Sequence, residues 1–298
     1  MTTAIAALNR APYVGLIAWA TVLCGLAMGH TVLVLLRYLT DAREELRAPE
    51  FAVSVAMGLI GWAMVWHGRR RGEAVGTWLG YIAGSLIWTG WFELAWKITA
   101  HAMKVPTVDF EGVPVLNAEL QVIQASVLPF LVILIMYYVN KETRCSAVLW
   151  IRRKTHMNPG QPATGKERNF AALTAFEVIA VTWACYIVTI FLVDPRLIGN
   201  PMTMTAQLPF LGFTIWGLYL LTRVMKHKHF PAALRYAIPS GNILWIGIEA
   251  GSRMQIYPEI WIKPLQYPAL VGLIGLAMVA ALVVIRKNAP DERTVVAA

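Results

Sequence analysis

The chain has 298 residues, 57% of them hydrophobic and only 14% charged, with a mean hydropathy of +0.55 and a formal net charge of +9. A soluble domain is nearer a quarter charged, and here the apolar residues fall in long runs between short basic loops, so the composition excludes an ordinary soluble enzyme and points to an all-α integral membrane protein. The bases flank apolar runs, which accounts for the positive charge without nucleic acid, and Cys24, Cys145 and Cys185 are too scattered for a disulfide framework or a metal site.

In chain order, about eight transmembrane helices are predicted, over 13–37, 50–67, 75–102, 119–139, 170–193, 206–224, 234–257 and 265–285. Most reach the length that crosses ~30 Å of hydrocarbon. The first run follows "MTTAIAALNRAP" and is too long for a signal peptide, so it reads as a retained span. It carries His30 in its outer part. The third span contains "WTGWFELAWKITAH", in which Glu93, Lys97 and His101 stand at i, i+4 and i+8. The loop from Met103 to Glu119, with Asp109 and Glu111, reads as a lid, a partner contact or a solvated loop. Gln121, Gln124 and Ser126 open the fourth span as interhelical hydrogen bonders.

The segment 141–168 is the longest connection. Its "AVLWIRRK" part suits the headgroup layer, with Trp150 buried and the bases facing anionic lipid. Its "NPGQPATG" part reads as a flexible linker. In the fifth span Glu177 lies near the basic end, where snorkelling explains it. The seventh span is the most polar, with Ser240, Asn242, Glu249, Ser252, Arg253 and Tyr257.

The loops after the even-numbered spans, the span ends that border them and the two ends of the chain hold 18 of the 26 Lys and Arg, which predicts that both termini are cytoplasmic. The linker divides the chain into a first four-helix unit (1–140), the linker itself (141–168), a second four-helix unit (169–288) and a short cytoplasmic tail (289–298).

The two units repeat. "GSLIWTG" at 84–90 matches "GNILWIG" at 241–247, "GLIGW" at 58–62 matches "GFTIW" at 212–216, and "PFLVILI" at 129–135 matches "PALVGLI" at 268–274. Three matches in order imply tandem duplication. An even number of spans per unit makes the repeats parallel.

The polar ladder repeats as well. Glu249, Arg253 and Tyr257 share the spacing of Glu93, Lys97 and His101, provided one residue is skipped between Trp88 and Glu93. Two explanations stand side by side. The acid–base pairs neutralise each other within their helices, or both ladders face a seam between the units and frame a cavity. In the second case Glu93, Lys97, His101, Glu249, Arg253, Tyr257 and Asn242 are candidate substrate- or ion-binding residues. His30 and His101 are weaker candidates for holding a cofactor.

No P-loop, HExxH or GxSxG motif occurs. The leading expectation is therefore a small carrier or channel-like protein of the cell membrane, moving a small polar or ionic solute, with its cofactor left open and a quinone expected only under the first alternative. The alternatives are a quinone-binding anchor subunit of a redox complex and a non-catalytic scaffold in a membrane complex. The expected partners are the lipid bilayer and, under the alternatives, other subunits.

Overall fold

The computed structural model describes residues 10–40, 48–143, 145–162, 168–253 and 256–288. The chain is helical, and helices stand in all eight predicted segments. They are α1 (Tyr13–Thr40), α2 (Ala48–Gly68), a third helix in three parts, α5 (Ala118–Ala125) with α6 (Val127–Val139), α8 (Phe170–Val193), α10 (Met204–Val224), α11 (Phe230–Arg253) and α12 (Pro268–Asn288). The third helix runs as α3 (Glu73–Ile87), a π-helical turn (Trp88–Leu94) and α4 (Ala95–Ala102). A short α7 (Ser146–Lys154) and α9 (Pro195–Ile198) complete the helices used below.

Among the described residues, α1, α2, α8 and α10 are each long and apolar enough to cross a membrane. A fifth span is complete if α5 and α6, bent by 51° at Ser126, are counted together. The bend has a local cause. Pro129 lacks the N–H that would bond back into α5, and the Ser126 hydroxyl bonds instead to Ile123 O and accepts from Trp183 Nε1 (2.9 Å).

The helices fall into an inner and an outer set. α1, α3, α8 and α11 meet around the centre: α3 packs on α8, α11 on α1, and α8 on α11. α2 lies against α3, α10 against α11, α6 against α8 and α12 against α1. The outer helices turn bare apolar faces outward, with Phe51, Leu59 and Trp62 on α2, Leu131 and Ile135 on α6, Leu211 and Ile215 on α10, and Leu273 and Leu276 on α12 all exposed. Apolar cover of that extent suits hydrocarbon and not water.

Close approach of the inner helices depends on small residues. Gly76, Gly80 and Gly84 form a stripe along α3 that lies on Phe170, Ala171 and Ala175 of α8. A Cβ at Gly84 would sit 2.8 Å from Ala175 O. Helices in lipid associate through such packing because apolar burial alone gives them no drive.

One end of the bundle is basic. There Arg235 bonds to Thr77 Oγ1 (2.7 Å) and Glu73, and Arg168 approaches Glu142 at 3.6 Å. α7 leaves Trp150 and Ile151 exposed, but its bases do not all face outward. Arg152 is buried and bonds to the carbonyls of Tyr138 and Asn140 (2.7 Å each), capping the C-terminus of α6. Glu177 does not snorkel either. It is buried and accepts from the Tyr137 hydroxyl (3.3 Å).

The opposite end carries a feature absent from the sequence reading, a hairpin of β1 (Val108–Phe110) and β2 (Val113–Leu116). Glu111 and Gly112 both take positive φ, 50° and 80°, as a two-residue hairpin turn requires. Leu116 then drops into an aromatic core of Trp88, Phe130 and Trp183.

Beside the hairpin, Asp194 caps α9 and is almost fully buried. Its carboxylate accepts from Arg196 Nε (2.9 Å), Arg196 Nη2 (2.8 Å), the Arg196 backbone N–H (2.9 Å) and Gln124 Nε2 (2.8 Å). The Arg196 guanidinium holds the Asp194 carboxyl well below the usual carboxylate range, at about 2. Its folded pKa is depressed, so its contribution is complete above the unfolded value near 4 and is lost as pH falls through 2. Arg196 is half exposed, and the screened contribution is about 1–2 kcal/mol. Acid titration of thermal stability should show this loss between about pH 4 and pH 2. Asp194→Asn should remove the acid-dependent step and lower stability by a similar amount at neutral pH. An unchanged acid profile in the variant would reject the assignment.

Candidate functional site between the inner helices

The π turn decides where the site lies. A π turn takes one more residue than an α turn, and it falls on "WTGWFEL", where the step from Trp88 to Glu93 is one residue longer than the step from Trp245 to Glu249. The helix thus absorbs the extra residue locally. Trp88 lines the central cavity and, beyond the widened turn, Glu93 lines it too. Without the π turn one extra residue would rotate Glu93 by ~100° around the helix.

Four polar side chains from four different elements meet there. Tyr186 on α8 donates its hydroxyl to Glu93 Oε1 at 3.0 Å. The same hydroxyl is 3.1 Å from His30 Nε2 on α1. His30 Nε2 lies 3.6 Å from Glu249 Oε1 on α11, and that carboxylate accepts from Trp245 Nε1 at 2.9 Å. The imidazole is fixed by Leu26 O, 3.0 Å from Nδ1, and by stacking on Trp245 with ring centroids 5.7 Å apart.

These groups line a cavity of about 60 Å³ together with Tyr81, Ser85, Thr182 and Asn242. That is room for a few water molecules at most. Toward the hairpin end the loop around Ile260–Ile262 packs on the cavity wall. Trp261 packs on Trp245 at 4.8 Å, and its carbonyl accepts from Thr31 Oγ1 at 2.9 Å. An open cleft of about 640 Å³ lies further out, among Val115, Gln207, Ser252, Glu259 and Lys263.

The structure brings some of the predicted residues together and separates others. Glu93 and Glu249 converge, and His30 stands between them. Asn242 is buried on the cavity wall, its amide donating to Ile238 O (2.9 Å). Lys97 is half-buried one turn beyond Glu93, while Glu93 bonds to Tyr186. His101 is exposed at the end of α4 and is not among the groups around His30.

The second ladder is shorter than its spacing suggests. α11 ends at Arg253, whose side chain lies outside the described residues, and Tyr257 is in the following loop, folded back so that its hydroxyl donates to Ile248 O. Ser240 is buried, with no hydrogen-bond partner for its Oγ among the described residues, and Ser252 faces the outer cleft. Among the described residues no three His, Cys, Asp or Glu side chains are arranged to hold a metal.

Sequence reasoning missed Tyr186 and the Trp245 donor. A signal for Tyr186 was present: it follows His30 by 156 residues, the same interval that separates Glu93 from Glu249. No protein-family model, no curated protein and no solved structure matches the chain.

Proposed function

We propose that the chain is a multi-pass carrier or channel-like protein, made of two duplicated four-helix units that all cross the membrane, with its solute site in the cavity between them. The duplication draws support from packing. Gly84 lies on α8 and its counterpart Gly241 on α1; Gly90 lies on α2 and its counterpart Gly247 on α10. Matched residues thus touch matched helices. Trp88 and Trp245 both line the cavity. The basic end is read as cytoplasmic, with both termini on that side.

The observation that carries the reading is the convergence of Glu93 and Glu249, one from each unit, on His30 and Tyr186 inside an apolar bundle. Carboxylates removed from water cost several kcal/mol unless something compensates them. Here no lysine or arginine bonds to either among the described side chains, and the compensation comes from neutral donors and one imidazole. Such a site suits a proton or a small cationic or polar solute.

The test is flux in vesicles reconstituted with the purified protein, across protons, monovalent cations, small amines and small organic acids. Glu93→Gln and Glu249→Gln should each lower flux roughly tenfold or more, with the melting temperature held. Undiminished flux in both variants would refute the proposal, as would a wild-type protein that moves nothing in the panel. Quinone-dependent electron transfer with a co-purifying soluble partner would favour a quinone-binding anchor instead. Loss of stability in both variants without any flux would favour a scaffold.

A further inference from the structure

The cavity groups form a continuous chain, Glu93–Tyr186–His30–Glu249, that runs from the third helix of one unit to the third helix of the other. Its hydrogens can be counted. Leu26 O only accepts, so His30 Nδ1 carries a proton and donates to it. The Tyr186 hydroxyl has one proton and faces two acceptors, Glu93 Oε1 at 3.0 Å and His30 Nε2 at 3.1 Å. It serves one of them at a time.

Two arrangements satisfy every group. In the first, Glu93 is ionised and accepts from Tyr186, and His30 is an imidazolium whose Nε2–H points to the Tyr186 oxygen and toward Glu249. In the second, Glu93 is protonated and donates to the Tyr186 oxygen, and Tyr186 donates to a neutral His30. They differ by two protons, each shifted across one hydrogen bond, which reverses both hydrogen bonds of the Tyr186 hydroxyl. Burial in a bundle with few other charges makes the mobile proton the cheapest way to balance two carboxylates.

We propose that this chain is a proton relay with Tyr186 as its switch, so that the species bound at the site is the proton itself. The inference rests on the carrier reading for its membrane setting. The step balances: the Glu93 carboxyl proton passes to the Tyr186 oxygen while the Tyr186 proton passes to His30 Nε2. Glu93 ends as a carboxylate, Tyr186 as a neutral phenol and His30 as an imidazolium, which faces Glu249 at 3.6 Å. Among the described residues, the other titratable groups facing the chain are Lys97 beyond Glu93, Cys185 on α8 near Glu249, Glu259 from the loop before Ile260, and Tyr81 on the cavity wall, whose hydroxyl donates to Thr21 O. None of them lies between the four members.

The relay makes Tyr186 both acceptor and donor of the moving protons and predicts a signature that a packing role lacks. The full-length protein in phosphatidylcholine vesicles is studied by infrared difference spectroscopy between acidic and alkaline buffer. A carboxyl C=O band should titrate and should vanish in Glu93→Gln. In Tyr186→Phe the band should remain, with its midpoint moved by about one pH unit or more, since Glu93 no longer shares its proton with His30. A midpoint that stays in place overturns the relay, and so does the absence of any titrating carboxyl band. If Tyr186→Phe fails to fold, His30→Asn keeps an amide donor for Leu26 O, breaks the next junction and carries the same test. Proton flux, followed with pyranine inside the same vesicles, separates the two proposals. A moved midpoint without flux sustains the relay and overturns the carrier. Solute flux that depends on Glu93 but ignores both pH and Tyr186→Phe sustains the carrier and overturns the relay.

Discussion

Deletion of Trp91 should leave the protein folded, whereas deletion of Ile82, nine residues earlier in the same helix, should abolish folding. Trp91 lies in the π turn, which already holds one residue more than an α turn. Its removal lets the turn close into α-helix, giving Trp-Thr-Gly-Phe-Glu in place of the present sequence, in step with Trp-Ile-Gly-Ile-Glu from 245 to 249. Glu93 keeps its direction. The losses are the Trp91 Nε1 bond to Val55 O (3.3 Å) and the contact of the ring with Gly58. Trp91 is 41% exposed, so the expected cost is about 2–3 kcal/mol.

Ile82 lies in regular α-helix. Its deletion rotates everything before it by ~100° relative to everything after it. Gly76 and Gly80 would then leave α8 and present bulkier neighbours to it. That cost exceeds the ~5–15 kcal/mol available to a typical protein. Thermal unfolding of the two purified deletions decides the matter. Equal damage from both would mean that the π turn does not store the extra residue.

Gly80→Leu and Gly84→Leu should each destabilise the protein by at least ~3 kcal/mol, through overpacking that the backbone of α8 cannot relieve. At both positions the nearest obstacle includes main-chain oxygen, Ala171 O and Ala175 O. The comparison is Gly272→Leu on α12, where an added Cβ meets nothing within 4 Å. There the change should be neutral or stabilising by up to ~1 kcal/mol, since leucine is the better helix former. Melting temperatures in detergent measure all three. If Gly272→Leu proved as harmful as Gly84→Leu, the close α3–α8 contact would not be what holds the inner helices.

Helix positions were legible because apolar run length signals a membrane helix directly: the run 170–193 coincides with Phe170–Val193. The acids of the site were legible for the opposite reason, since Glu93 and Glu249 are conspicuous in such surroundings. Tyr186 was not, because a tyrosine in an apolar run has the same appearance whether it packs or bonds. The π turn showed itself only as a one-residue mismatch between two aligned segments. Tyr257 was misplaced because spacing assumes a continuing helix, and α11 stops at Arg253. The hairpin escaped because its strands are three and four residues long, too short for alternation to register.

The interlaced packing of α3 on α8 and α11 on α1 has a consequence for ancestry. Under the proposed duplication, the parent was a single four-helix chain that worked as a symmetric pair, each copy laying its third helix on its partner's first. Such a pair has identical sites on either side of its axis. Fusion through the segment 141–168 freed the two first helices to diverge, and they now carry His30 on one side and Tyr186 on the other. A centre that was once even-handed became directional, with a hydroxyl beside one carboxylate and an imidazole beside the other.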